Sequence, residues 1–187
     1  MKDLSETELP SLSDGRLELR PWRPDDASAV AAMCDDPSIA RYIPLPSPYT
    51  VTDGEEWVGD AERKWREDRW AQFAVTRRET GELVASCGVK IDVERRSGEI
   101  GYLVKREARR TGVASGAVRL LVAWCFDELE LGRLQIRAEP GNTPSRRTIE
   151  SCGFQYEGLL RAYDVVRGER TDDVVYSLLP DDPRPGM

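Results

Sequence analysis

GEIGYLVKREARRTGVAS, residues Gly98 to Ser115, joins a strand to a helix through a basic loop. Glu99 to Val104 has the composition of a strand. From Val113 the pattern changes. Val113, Ala117, Leu120, Leu121 and Trp124 recur at helical spacing, and Gly132 closes the segment soon after, which predicts a helix over 113–129. Arg109, Arg110, Thr111, Gly112, Val113 and Ala114 therefore sit where a helix begins and its first backbone N–H groups lack intrahelical acceptors. Gly112 lets an anion approach the main chain, and the helix dipole favours one there. Lys105, Arg106, Arg109 and Arg110 put four positive charges into six residues of a chain whose net charge is −7. A pyrophosphate-sized anion fits this arrangement; a solvated basic helix start fits it equally well.

Working outward, strands are predicted at Trp70 to Arg77 and Leu83 to Val93, with turns at Glu79-Thr80-Gly81 and Arg95-Arg96-Ser97-Gly98. Connections so short imply antiparallel pairing. Downstream, Leu134 to Ala138 reads as a strand, and strand–helix–strand in one sheet implies a right-handed parallel crossover. Thr143 and Pro144 open another helix that ends at Gly153. Phe154 to Arg161 and Thr171 to Leu178 form a final hairpin around Arg167-Gly168. Upstream, Gly15 to Arg20 is a strand, Pro24-Asp25-Asp26 starts a helix, Arg41 to Thr50 is a proline-rich loop and Asp53 to Asp68 is a helix. The predicted fold class is α/β: a mixed sheet, antiparallel first and parallel at the crossover, with helices on both faces. Residues 14–180 form one domain, with flexible tails at 1–13 and 181–187.

Composition removes several chemistries. The 187 residues contain no histidine, which excludes Ser-His-Asp and Cys-His nucleophilic sites and any histidine-based zinc centre, so no metal is expected. A general base must then be a carboxylate, cysteine, tyrosine, lysine or water chain. The acidic balance disfavours nucleic-acid binding and suits a cationic substrate, or merely keeps the chain soluble. No apolar run is long enough to span a bilayer, and the N-terminus lacks the apolar stretch of a secretory signal. Four scattered cysteines read as reduced, mostly buried thiols of a cytoplasmic protein. Neither G-x-x-x-x-G-K-[ST] nor an early G-x-G-x-x-G is present, against P-loop and Rossmann sites.

Arg109-x-x-Gly112-x-Ala114 between strand and helix resembles the coenzyme-A loop, Q/R-x-x-G-x-G/A, of the GCN5-related N-acetyltransferase (GNAT) superfamily. Asn142-Thr143-Pro144-Ser145-Arg146-Arg147 followed by Gly153-Phe154 resembles that family's second signature. The stretches LELRPWRPDDA, PSPYT and EGLLR are similar to the RimJ/RimL-type subgroup, which includes acetyltransferases of ribosomal-protein N-termini. The resemblance covers about residues 15 to 180.

It implies acetyl-CoA as cofactor and a splayed strand pair with a cofactor cleft, its fold GNAT-like. Tyr102, Leu103 and Val104 would offer main chain to the pantetheine arm, residues Arg109, Arg110, Thr111, Gly112, Val113 and Ala114 would hold the pyrophosphate, and Asn142 would bond the arm near its thiol. Lys105, Arg106 and Arg110 could reach the 3′-phosphate. Family chemistry is direct attack of an amine on the thioester. Where many members place a tyrosine acid, this chain has Ile149; Ser145, one turn earlier, would donate to the sulfur instead. Glu99 and Glu157 compete as general base. The Arg41 to Thr50 loop with Tyr42 and Tyr49, and the Trp57/Trp65 helix, are candidates for the acceptor wall. The implied acceptor is a peptide N-terminal α-amine; a small amine such as an aminoglycoside or polyamine is the alternative, and a non-catalytic acyl-CoA-binding module a third reading. The C-terminal hairpin could pair with a second copy, although nothing in the sequence requires a homodimer.

Overall fold

The computed structural model describes residues 7–186. Leu17 and Leu19, both buried, set β2 (Leu17–Arg20) against β3 (Trp70–Arg77). β3 pairs with β4 (Leu83–Asp92) and β4 with β5 (Ser97–Val104), all antiparallel as their short turns require. The chain then crosses through α4 (Val113–Ala123) to β6 (Arg133–Ala138), which runs parallel to β5. α5 (Thr143–Ser151) leads into the hairpin of β7 (Gln155–Val166) and β8 (Glu169–Leu178); β8 inserts beside β6, leaving β7 on the outer edge. With β1 (Leu12–Ser13), the order is β1-β2-β3-β4-β5-β6-β8-β7, the mixed sheet expected.

Helices α1 (Ala27–Cys34), α2 (Pro37–Ala40) and α3 (Val51–Asp68) precede β3. Val30 and Met33 of α1 and Val58 of α3 are buried with Ala74 and Leu83. Val113, Ala117 and Leu121 of α4 and Ile149 of α5 form a second core with Phe73, Val89, Ile136 and Tyr176. Each such large side chain contributes about 1.5–3 kcal/mol through burial.

Several boundaries differ from the sequence reading for local reasons. Helix α3 starts at Val51 rather than Asp53, because Thr50 and Asp53 cap it reciprocally: the Thr50 hydroxyl accepts from Asp53 N–H and the Asp53 carboxylate from Thr50 N–H. The long helix predicted to reach Leu129 widens into a π-turn over Trp124–Glu128, where Leu129 N–H reaches the Trp124 carbonyl and Trp124, Cys125 and Phe126 are all buried. Residues 12–13 are strand rather than tail, Leu9 and Leu12 pack on the core, and the Trp65 indole donates to the Thr7 carbonyl at 2.6 Å. Residues 1–6 of that expected tail, and residue 187 of the other, lie outside the described residues. The C-terminal segment is likewise bound: Arg119 donates to the Pro185 carbonyl and Arg184 pairs with Asp127. Gly153, at φ 91°, makes room for it, since a Cβ there would lie 2.4 Å from the Pro183 carbonyl oxygen.

Candidate active site

The parallel pairing of β5 with β6 stops at Ile100 and Ile136, while β5 stays paired with β4 as far as Val104. Gly101 to Val104 therefore have no strand partner on the β6 side. A cleft of about 980 Å³ occupies the gap and is lined by Tyr102, Leu103 and Val104 on one wall and Ile136 to Glu139 on the other. The strand itself creates the opening: backbone groups released from a sheet remain donors and acceptors in need of partners.

At one end of the cleft lies the start of α4. Gly116 N–H makes the first helical bond, to the Gly112 carbonyl, so the N–H groups of Val113, Ala114 and Ser115 precede any intrahelical acceptor. Gly112 caps the helix at φ 81°, and a Cβ there would meet nothing within 4 Å. That glycine is required by backbone conformation and leaves open space before the N–H groups, the geometry an anion needs. Arg109, Arg110, Gly112, Val113 and Ala114 all line the cleft. Thr111 does not: its hydroxyl donates to the Ala108 carbonyl at 2.7 Å and its own carbonyl accepts from Arg16, so it shapes the loop from outside.

The basic cluster is largely neutralised within the chain. Arg109 reaches away from the loop, donating to the Val104 carbonyl, the Ser38 hydroxyl and Asp36. Arg106 takes the other Asp36 oxygen at 2.6 Å, and Lys105 pairs with Glu82 at 2.9 Å. Among the four, Arg110 alone has no ion pair within the described residues; it is exposed and in left-handed backbone at φ 62°. Asp36 is buried at 8% exposure. Burial opposes its ionisation, but hydrogen bonds from the Ser38 N–H and hydroxyl and from both arginines outweigh it and hold the carboxyl down to about 2. Sequence reasoning missed Asp36, which looks like an ordinary helix cap before Pro37.

Asn142 and Ser145 both line the cleft where α5 begins. The Asn142 carbonyl oxygen caps the helix, accepting from Ser145 N–H at 3.2 Å, and its amide nitrogen has no hydrogen-bond partner among the described residues. The Ser145 hydroxyl meets the Tyr102 hydroxyl at 2.9 Å. The sequence reading used only the main chain of Tyr102; its phenol crosses the gap to α5. Burial pushes that phenol up to about 12, against the hydrogen bond from Ser145, so it stays protonated. Ile149 is fully buried in the core and faces no cleft.

The two carboxylates nominated as base fare differently. Glu99 lines the cleft, but both oxygens are held: Oε1 accepts from Arg137 Nε and Nη2, Oε2 from Gln135 at 2.7 Å. Glu157 is not brought to the cleft. Arg133 binds it through two bonds of 2.6 and 2.7 Å and Ser177 through a third, and these hold its carboxyl down to about 2. Glu157 falls in a bulge of β7 between the rungs Tyr156–Tyr176 and Gly158–Val175, and the Arg133 side chain reaches along the sheet to hold it there. A third carboxylate, Asp173 on β8, faces the cleft unannounced by any motif. Of the expected acceptor wall, Tyr42 and Ile43 line the cleft, whereas Tyr49 and Trp65 are buried and Trp57 packs edge-on against Trp70.

Residues 16–155 match the family described as "Acetyltransferase (GNAT) domain". The chain belongs to this family. The GNAT chain is an N-acetyltransferase, and the family's acyl donor is acetyl-CoA. It is 34% identical to the N-acetyltransferase p20 of Bacillus licheniformis, itself uncharacterised, over 91% of this chain and 97% of that one. Over 97 residues, 50% of this chain and 53% of the other, it is 40% identical to Bacillus subtilis YdaF, provisionally named a ribosomal N-acetyltransferase. Its fold is similar to Mycobacterium smegmatis RimJ in complex with CoA-disulfide, with a TM-score of 0.81 and 26% identity, covering 92% of this chain and 87% of that one.

Proposed function

We propose that this N-acetyltransferase acetylates the α-amine of a peptide or protein N-terminus. The observation that carries the reading is the single cleft between β5 and β6, with an anion-binding helix start at one end, the Ser145–Tyr102 hydroxyl pair within it and carboxylates at the other. Similarity to RimJ and to YdaF supports the peptide acceptor.

Main-chain groups of 101–104 and the Asn142 amide would hold the pantetheine arm, and the N–H groups of Val113, Ala114 and Ser115 the pyrophosphate. Acetyl-CoA, when bound, supplies an activated thioester. Either hydroxyl of the Ser145–Tyr102 pair can donate to the other; where the phenol donates to Ser145 Oγ, the serine proton would be available to stabilise sulfur as negative charge develops there. The acceptor amine must be neutral when it attacks. An α-amine of pKa near 7.8 is about one-seventh neutral at pH 7, a lysine amine under about one part in a thousand, so the α-amine asks far less of the protein.

Turnover should be followed as CoA release from acetyl-CoA with free and N-blocked forms of one peptide, beside a polyamine and an aminoglycoside. The proposal expects turnover of the free peptide alone. Equal turnover of both peptide forms, or turnover confined to the small amines, would refute it, and the small-amine reading would then take its place.

A further inference from the structure

We propose that Asp173 is the general base of the transfer, taking the proton that the acceptor ammonium must lose. The inference rests on the amine acceptor of the preceding section, but not on that amine belonging to a peptide.

Register places Asp173 at the right end of the sheet. The pairing of β6 with β8 ends at Ala138 and Val174, so Asp173 is the next residue out, beyond the last rung and beside the mouth where β6 turns away. It shares a sheet face with Val175, which is opposite Arg137, and its Oδ2 accepts from Arg137 Nη1 at 2.6 Å. No hydrogen bond from the described residues reaches Oδ1. The residue is only 7% exposed and lines the cleft. Glu99, by contrast, has both oxygens occupied, and Glu157 does not line the cleft and is held by Arg133 and Ser177. Asp164 lines the cleft but is only half-buried, 4.0 Å from Arg137, with its Oδ1 taken by the Val165 N–H.

The groups facing Asp173 are Arg137 from β6, Asp164 from β7 and Glu99 from β5, with the Tyr163 ring stacked 4.4 Å from the Arg137 guanidinium. Burial pushes the Asp173 carboxyl up; Arg137 opposes this, while Asp164 and Glu99 reinforce it. A raised carboxyl is a stronger base and lies nearer in affinity to an α-ammonium. Arg137 is shared by Glu99 and Asp173, so it fixes the carboxylate's orientation without neutralising the pair.

The proton balance closes. One ammonium N–H bond breaks and its proton passes to Asp173, the nitrogen keeping the electron pair. That pair forms the C–N bond as the C–S bond breaks, and electrons leave on sulfur. The second proton shed by nitrogen neutralises the thiolate, and Asp173 returns its own to solvent.

The test measures pH profiles of kcat/KM for wild type and Asp173→Asn on whichever amine the wild type accepts, with calorimetric acetyl-CoA binding as the check on folding. We expect a loss on the order of 100-fold near pH 7, an unchanged acetyl-CoA Kd, and recovery as pH rises toward the pKa of the amine. Less than about a threefold loss, or an equal loss at every pH, would overturn the assignment. Should Asp173→Asn fail to bind acetyl-CoA, Asp164→Asn serves instead. It removes a half-buried negative charge that raises the Asp173 carboxyl, so the acidic limb of the profile should move to lower pH; an unmoved limb overturns the proposal. Activity on small amines but not peptides would sink the peptide reading while still testing Asp173. Absence of turnover on every amine would sink both.

Discussion

The Tyr102 hydroxyl lies 2.9 Å from Ser145 Oγ, joining the splayed end of β5 to the first turn of α5 across the cleft. Two hydroxyls at this distance act as one unit, since one donates and the other keeps a proton to offer. Ser145→Ala should lower kcat by about 10- to 100-fold while leaving acetyl-CoA affinity within about twofold. Tyr102→Phe should lower kcat less, and the double variant should be no worse than Ser145→Ala by more than about threefold, because the tyrosine acts through the serine. Burial pushes the Tyr102 phenol up to about 12, so its proton is retained below that pH and no Tyr102-linked loss of rate should occur between neutrality and about pH 10. Steady-state kinetics of the three variants, with calorimetry, check this.

Gly112→Asp places a carboxylate at the mouth of the α4 N-terminus and forces an L residue to φ 81°. Acetyl-CoA affinity should fall at least about tenfold through like-charge repulsion at the site where phosphate would sit. The open space around that position predicts a modest cost in stability, about 1 kcal/mol, from backbone conformation alone. Calorimetric titration and denaturant unfolding separate the two effects.

Asp36 is an acid-sensitive strut. Its folded pKa, about 2, is below the unfolded value of about 3.9, so its contribution to stability is fully present above about pH 4 and is lost as pH falls toward 2. Asp36→Asn should therefore be less stable than wild type at neutral pH, and the difference should shrink from about pH 4 downward. Freed from Asp36, Arg106 and Arg109 no longer hold the loop proposed to bind the cofactor against α2, so acetyl-CoA affinity should fall too. Urea unfolding across pH provides the measurement.

Gly153→Ala meets the Pro183 carbonyl oxygen at 2.4 Å in a backbone conformation L residues avoid. A loss of about 1–3 kcal/mol is expected, with the 181–186 segment released from the end of α5. Denaturant unfolding reads the loss, and faster proteolysis of the C-terminus reads the release.

Element order and sheet direction were legible because they depend on local spacing: the apolar stripe of α4, the short turns before β4 and β5, and Gly112 at a helix start. The helix start proposed to hold the cofactor was legible for the same reason, since its N–H groups are consecutive main-chain groups. Charges were less so. Arg109 was read as part of an anion site, yet its guanidinium is held by Asp36, more than seventy residues away. Glu157 carried a resemblance to a family position, but the side chains of Arg133 and Ser177 take both its oxygens.

The sequence by itself determined the mixed sheet, the parallel crossover, the Arg109 to Ala114 loop and the absence of histidine chemistry, all properties of residues near one another in the chain. Only the tertiary structure decided which carboxylates face the cleft and how each is held. Glu99, Glu157 and Asp173 are all acidic residues on strands, indistinguishable by spacing. Their fates follow from long-range pairing: Gln135 and Arg137 hold Glu99, Arg133 holds Glu157, and Asp173 keeps one oxygen beside the mouth of the gap. Hydrogen-bond occupancy of a side chain is a property of its neighbours in space, and a single strand's sequence does not contain them.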